Sequence, residues 1–169
     1  MIRKLASHDR IPMELLLLAD PSEFQIKKYL SDGDCYLAEF ESEFIGVYIL
    51  KELNAQSCEL MNVAVAEAWQ GKGIGKQLIL HAIETAKGYG YQTVHIATGN
   101  SSIGQLALYQ KCGFRMVGIE ADYFTVHYPE PIFENGIQCR DKILLKLKLK
   151  GLTDHEERRT TKTSPSASK

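Results

Sequence analysis

The chain has 169 residues, 44% of them hydrophobic, and a formal net charge of −1 at pH 7. This is the size of one domain with a sizeable core, and the near-zero charge gives no electrostatic basis for a nucleic-acid partner. The sequence shows neither a signal-peptide core nor an apolar run near the ~18 residues of a membrane span, which predicts a cytoplasmic protein without a membrane partner. Its four scattered cysteines predict reduced thiols and no metal site.

Strand and helix signals then alternate along the chain. Pro12 and Pro21 mark two helix starts, and after Asp34 the residues typical of strands form two runs that a turn at 41–43 joins as a hairpin. The predicted order is βααβββαβαβ, with a long connection before one more strand. The predicted spans are 2–5, 13–18, 21–30, 35–40, 44–53, 60–65, 74–88, 93–98, 102–111, a strand from 114, and 138–147. This order predicts an α/β fold with a mixed sheet covered by helices.

Three alternate glycines, Gly71, Gly73 and Gly75, stand between the apolar segment 60–65 and the helical pattern that follows. Because they lack Cβ atoms, backbone N–H groups can approach a ligand there, and the helix dipole behind them favours phosphate oxygens. The spacing does not fit a P-loop, and Lys76 stands where the dinucleotide fingerprint requires glycine. A plain strand-to-helix turn is the alternative.

Two motifs resemble one family. The pattern Gln-x-x-Gly-x-Gly at 70–75 resembles the pyrophosphate loop that binds acetyl-coenzyme A in the GNAT superfamily of N-acetyltransferases. The pattern Leu-Tyr-x-x-x-Gly-Phe at 108–114 resembles the segment that follows the second coenzyme-binding strand in that superfamily. The two motifs stand in the family's order and at about its usual separation.

The resemblance covers residues 1–149 and leaves 150–169 as a polar C-terminal tail. It implies a mixed, mostly antiparallel central sheet of about seven strands, flanked by about four helices. The fourth and fifth strands are expected to splay apart, so that the pantetheine arm of acetyl-coenzyme A enters between them. The resemblance implies coenzyme contacts at Val63, Ala64 and Val65 of the fourth strand, and at Gln70, Gly71, Lys72, Gly73, Ile74, Gly75 and Lys76 of the loop.

The family's chemistry implies roles for two side chains. Tyr109 is expected to donate the proton to the departing thiolate, and Glu59 takes the place of the base in the histone-acetylating branch. Strand alternation predicts that Glu59 shares a face with Met61 and Val63. The alternatives are a tyrosine buried only for packing, a solvated glutamate at a strand end, and a base supplied by His127, Glu130 or ordered water.

The sequence departs from the family's pattern before the tyrosine. The family often carries an asparagine seven residues earlier, where it contacts the coenzyme, and here that place holds Ser102. The nearest asparagine is Asn100, so the resemblance implies that either residue supplies the contact.

The connection at 120–137 is long and rich in aromatic and acidic residues. Loops of this size tend to be functional, and this one is expected to form either an acceptor pocket for a cationic amine or a homodimer contact. The pocket residues expected on that basis are Tyr123, Phe124, His127, Tyr128, Glu130, Phe133 and Glu134.

The sequence therefore predicts an N-acetyltransferase that moves acetyl from acetyl-coenzyme A to a primary amine of a small molecule or peptide, by direct attack in a ternary complex. One alternative is a module that binds acetyl-coenzyme A without catalysis, and another is an unrelated nucleotide-binding α/β protein.

Overall fold

The computed structural model describes residues 1–150, so the predicted tail lies outside the described residues from 151 onward. These residues form five α-helices, nine strands and a short 3-10 helix at Glu67–Trp69. The helices are α1 (Met13–Ala19), α2 (Glu23–Asp32), α3 (Ile74–Gly88), α4 (Ile103–Lys111) and α5 (Tyr123–His127). The strands are β1 (Ile2–Lys4), β2 (Gly33–Phe40), β3 (Glu43–Asn54), β4 (Ser57–Val65), β5 (Thr93–Gly99), β6 (Arg115–Glu120), β7 (Ile132–Glu134), β8 (Ile137–Cys139) and β9 (Lys142–Lys148).

Seven of the strands form one sheet in the order β1-β2-β3-β4-β5-β9-β6. Its neighbouring strands are antiparallel except for β4 and β5, which are parallel. Residues 57–60 of β4 pair with residues 93–96 of β5, and the last of these pairs is Leu60 with Ile96. Beyond that pair β5 remains hydrogen-bonded to β9 as far as Gly99. The two strands therefore part at their carboxyl ends and leave a gap in the middle of the sheet, as expected from the sequence.

Helices cover both faces of this sheet. The apolar faces of α3 and α4 pack on one face, in a cluster that includes Leu78, Ile79 and Phe114. On the other face α1 and α2 pack in a second cluster, around the fully buried Leu16 and Ile26. Strands β2, β3 and β4 thus send side chains into two separate cores, one on each face of the sheet.

A β-bulge interrupts that alternation in β4. Ile49 of β3 pairs with Asn62, but the next pair is Leu50 with Leu60, so Met61 is the extra residue. Met61 packs with the α1–α2 cluster and Val63 with the α3–α4 cluster. The prediction that Glu59 shares a face with Val63 was therefore wrong, because regular alternation ends at the bulge.

The end of the chain also differs from its prediction. The connection after β6 folds into α5 and a two-stranded hairpin of β7 and β8. The predicted strand 138–147 is divided at 140–141, so that β8 belongs to the hairpin and β9 to the main sheet. Among the helices of residues 1–150, none combines the length and the hydropathy needed to cross a membrane. The cytoplasmic location stays a prediction.

Candidate active site

The glycine loop, residues 70–76, leaves backbone amides open where β4 leads into α3. Gly71 and Gly73 have φ values of 75° and 82°, and a Cβ at either position would meet nothing within 4 Å. Gly73 is the N-cap of α3, and the Gln77 N–H makes its hydrogen bond to the Gly73 oxygen. The N–H groups of 74–76 precede that bond at the positive end of the helix dipole, which is the arrangement of an anion site.

The edge of β4 that borders the gap presents backbone polar groups. Ala66 donates its N–H to the Ile45 oxygen of β3 at 2.8 Å, and Ala64 continues the same register. Because backbone groups alternate sides along a strand, those of Val63 and Val65 face away from β3 and toward the gap. These two residues can pair with an extended ligand.

Two side chains of the glycine loop are held by the protein itself. The Gln70 Nε2 donates to the Val65 oxygen at 3.0 Å. The Lys72 Nζ lies 5.0 Å from the ring centroid of Trp69, which in turn contacts Phe40. These contacts fix the entry of the loop.

The loop cavity, of about 400 Å³, runs along the β4 edge and past the glycine loop. Its wall is mostly apolar, and Lys76 adds a positive charge. The lining residues are Leu18, Ala19, Val63, Ala64, Val65, Trp69, Gln70, Gly71, Gly73, Ile74, Gly75, Lys76, Gln105, Leu108 and Tyr109. A ligand with an extended arm and an anionic head fits this combination of strand edge and amide-rich loop.

The acidic cavity, of about 390 Å³, lies on the other side of Tyr109. Three carboxylates line it, those of Asp20, Glu59 and Glu134, together with the ammonium of Lys142. Its other lining residues are Leu17, Leu18, Ala19, Pro21, Gln25, Tyr29, Leu60, Met61, Asn62, Val63, Ala97, Thr98, Gly99, Ser102, Gln105, Tyr109, Tyr123, Phe124, Tyr128, Ile132 and Cys139. Tyr109 belongs to the walls of both cavities and so stands where they meet.

Tyr109 is 6% exposed and projects from α4 into this junction. Burial raises the pKa of its phenol, and the nearby Cys112 adds to the rise. A tyrosine with a raised pKa is protonated at neutral pH, so it can donate a proton but not accept one.

Glu59 is half-buried in the wall of the acidic cavity, one residue before the strands part. Its negative charge reaches the cavity interior: burial raises the pKa of Tyr123, and the charges of Glu120, Asp20 and Glu59 raise it further. The cavity thus favours cations over anions.

Ser102 and Asn100 lie outside the wall of the loop cavity as far as residues 1–150 define it. The Ser102 hydroxyl donates to both carboxylate oxygens of Glu134, at 3.0 and 3.2 Å, and so fixes that carboxylate in the acidic cavity. The Asn100 amide accepts from the N–H groups of Arg140 and Asp141 and donates to the Gln138 oxygen. Asn100 thereby holds the turn between β8 and β9. A coenzyme contact from Ser102 or Asn100 stays a prediction.

The structure divides the residues expected in an acceptor pocket. Tyr123, Phe124, Tyr128 and Glu134 line the acidic cavity. Phe133 is 65% exposed, and Glu130 lies on the surface. The ring of His127 stacks on the ring of Tyr123, and its Nδ1 lies 2.8 Å from the Tyr123 backbone oxygen. His127 therefore lies behind the cavity wall.

Sequence reasoning missed Asp20, Tyr29 and Asn62, which line the same cavity. Asn62 did carry a signal, because it is the polar residue inside the apolar segment 60–65. Asp20 and Tyr29 belong to no motif, and only the packing of α1 and α2 beside β4 brings them to the site.

Comparisons with known proteins agree with this geometry. The acetyltransferase (GNAT) family profile matches residues 5–114. The chain belongs to the GNAT acetyltransferase family. The uncharacterized N-acetyltransferase YvbK of Bacillus subtilis is 56% identical over 136 residues, which cover 80% of this chain and 88% of the relative. Membership confirms the predicted family and enzyme class, an acetyl-coenzyme A-dependent acyltransferase, and excludes an unrelated nucleotide-binding protein.

Two solved structures share the fold. A GNAT family acetyltransferase from Elizabethkingia anophelis with acetyl-coenzyme A bound has a TM-score of 0.87 at 48% identity, over 88% of this chain and 97% of that one. An IAA acetyltransferase from Bacillus cereus has a TM-score of 0.85 at 55% identity, over 88% of this chain and 99% of that one. The predicted mixed sheet with flanking helices is confirmed.

Proposed function

We propose that this GNAT protein transfers acetyl from acetyl-coenzyme A to the primary amine of a small molecule, by direct attack within a ternary complex. The observation that carries the proposal is that two cavities of similar size meet at Tyr109. One has the strand edge and amide-rich loop that suit a pantetheine arm and a pyrophosphate, and the other has carboxylates and aromatic rings that suit an ammonium.

The loop cavity would hold the coenzyme through two sets of groups. The backbone of Val63 and Val65 would pair with the pantetheine amides, and the N–H groups of the glycine loop would bind the pyrophosphate. The open space where Gly71 and Gly73 lack a Cβ supports this, because backbone amides can then reach the phosphate oxygens. The thioester would then lie at the junction beside Tyr109.

The acidic cavity would hold and deprotonate the acceptor. Glu59 takes a proton from the incoming ammonium, directly or through one water, and the free amine attacks the thioester carbon. A backbone N–H of β4 that faces the gap would stabilise the oxygen of the tetrahedral intermediate. As the carbon–sulfur bond breaks, Tyr109 gives its proton to the departing sulfur. The attacking nitrogen loses its extra proton to the resulting phenolate, directly or through water, which restores the tyrosine. The products are the N-acetyl amide and free coenzyme A.

Coenzyme release with a panel of primary amines, followed by mass spectrometry of the products, tests this proposal. We expect an added mass of one acetyl group on an amine nitrogen. Binding of acetyl-coenzyme A without acetylation of any small amine or peptide would favour the non-catalytic module instead.

The homodimer expected from the sequence also stays a proposal, and β6 supports it. This edge strand exposes Met116, Val117 and Ile119 by 51–67%. In an antiparallel association of two copies along this strand, Arg115 at one end would lie near Glu120 of the partner subunit, so the charges would be complementary. Light scattering should then give twice the 19.0 kDa chain mass, and Val117→Lys should reduce it to one chain.

A further inference from the structure

The acidic cavity carries more negative charge than the deprotonation of one amine requires. Asp20, which follows α1, accepts hydrogen bonds from the Tyr29 hydroxyl at 3.2 Å, the Tyr128 hydroxyl at 2.8 Å and the Ser22 N–H at 3.0 Å. All three donors are neutral. Within residues 1–150, no Lys, Arg or His nitrogen lies within 4.0 Å of this carboxylate. Its charge is held in a fixed place without a counter-ion.

The two tyrosines keep this arrangement in one protonation state. Burial raises the pKa of Tyr29 and of Tyr128, and the negative charge of Asp20 raises both further. Both hydroxyls therefore stay protonated near neutral pH and remain donors to Asp20. The carboxylate keeps its orientation while its remaining lone pairs are available to the cavity.

Asn62 adds a second acceptor to the same wall. It is 4% exposed, and its Nδ2 donates to the Leu16 oxygen and to the Tyr29 hydroxyl, both at 3.0 Å. The Leu16 carbonyl can only accept, so the orientation of the amide is fixed. The Asn62 Oδ1 is buried and lacks a hydrogen-bond partner among the described residues. A buried acceptor without a donor is unfavourable, and a ligand rich in N–H groups would relieve it.

The ammonium of Lys142 is not the counter-ion of Asp20. Its Nζ lies 4.4 Å from the ring centroid of Tyr123, so the cation is held against that aromatic face. Of the three carboxylates in the cavity wall, that of Glu59 lies near the point where β4 and β5 part, and that of Glu134 accepts from the Ser102 hydroxyl. The carboxylate of Asp20 is separate from both and lies between α1 and α2.

We propose that the acceptor is a diamine or polyamine, with one amine acetylated beside Tyr109 and a second ammonium bound at Asp20. This inference rests on the proposed acetyl transfer to a primary amine. An ammonium has three N–H donors, which match the free lone pairs of Asp20 and the unpaired oxygen of Asn62. The Tyr128 ring lines the same part of the wall and suits a cation.

A matched pair of probes tests the second site: 1,4-diaminobutane and n-butylamine have the same carbon chain and differ by one ammonium. For the unmodified enzyme we expect kcat/KM to be at least about tenfold higher for the diamine. Asp20→Asn should reduce this ratio at least about fivefold, whereas the exposed Asp32→Asn should keep it. The ratio should also fall as sodium chloride is raised, because added ions screen the attraction.

A third variant separates the charge of Asp20 from the hydrogen bonds that orient it. Tyr128→Phe removes one donor to Asp20 but keeps the carboxylate, so it should retain more of the diamine preference than Asp20→Asn. Equal kcat/KM for the two probes would overturn the inference while leaving the proposed function in place. An Asp20→Asn enzyme whose kcat/KM falls by the same factor for the diamine and the monoamine would do the same. If no amine of any kind is acetylated, the proposed function itself fails.

Discussion

The side-chain amide of Gln70 donates a 3.0 Å hydrogen bond to the backbone oxygen of Val65. This bond joins the first residue of the glycine loop to the last residue of β4, so the strand edge and the loop amides hold one relative position before a ligand arrives. Such preorganisation lowers the entropy lost on binding. It also links the two parts of the coenzyme site that the following variants address.

Replacement of Gly73 by valine should weaken acetyl-coenzyme A binding at least about tenfold, or 1.4 kcal/mol. The valine side chain would occupy the open space through which the loop amides reach the pyrophosphate. Titration calorimetry measures the effect. Gly90→Val is the matched control, because Gly90 has a φ of 84° and equally open surroundings but follows the far end of α3. Unchanged affinity in a folded Gly73→Val protein would contradict the loop assignment.

Tyr109→Phe should reduce kcat by at least about one to two orders of magnitude and leave coenzyme affinity nearly intact. A general acid contributes about 10²–10⁴-fold, and here it acts as the thiolate leaves. Single-turnover kinetics is the decisive measurement, because slow product release can mask a change in chemistry. Tyr36→Phe serves as control, since Tyr36 is equally buried in the core but lines neither cavity as residues 1–150 define them. A normal single-turnover rate would assign the acid to water or another side chain.

Glu59→Gln should lower kcat/KM most strongly at neutral pH, where the acceptor amine is protonated. The deficit should shrink as the pH approaches the amine pKa of about 10, because a neutral amine needs no base. A pH–rate profile with one diamine checks this. Glu52→Gln on β3, whose carboxylate binds the Tyr91 hydroxyl, should behave as the unmodified enzyme. A deficit that is equal at every pH would argue against Glu59 as the base.

Gly33→Ala should lower the free energy of unfolding by about 1–3 kcal/mol. Gly33 joins α2 directly to β2, and a Cβ there would lie 2.7 Å from the Ile49 Cγ2 and 2.9 Å from the Tyr29 oxygen. The backbone oxygen cannot turn aside as a side chain can. Denaturant unfolding measures the change. Gly88→Ala in α3, where a Cβ would meet nothing, should instead be neutral or slightly stabilising.

Stability should fall in acid partly through His81. Burial lowers the pKa of this imidazole, whose Nδ1 lies 2.8 Å from the Tyr48 hydroxyl. The unfolded chain therefore binds the proton more readily, and stability is lost as the pH falls from about 6.5 toward the lower folded pKa. His81→Gln should flatten the dependence of the unfolding free energy on pH between 7 and 5.

The sequence by itself determined the parts of this protein that depend on neighbouring residues. The glycine spacing at 70–75, taken together with the motif at 108–114, was enough for the family, because a strand, a glycine turn and a helix N-terminus bind phosphate through local backbone geometry. The motif at 108–114 likewise placed Tyr109 on a helix that a glycine ends, and the residue patterns gave the order of the main helices and strands.

Only the tertiary structure decided where the acceptor side of the site lies. The bulge at Met61 arises from the pairing of β4 with β3, so no count along β4 could show that Glu59 and Val63 lie on different faces of the sheet. Asp20 meets Tyr128 across 108 positions of the chain, through the packing of α1 and α2 beside β4. Contacts of this kind leave no periodicity in the sequence, because they depend on how separate elements dock and not on the residues beside them.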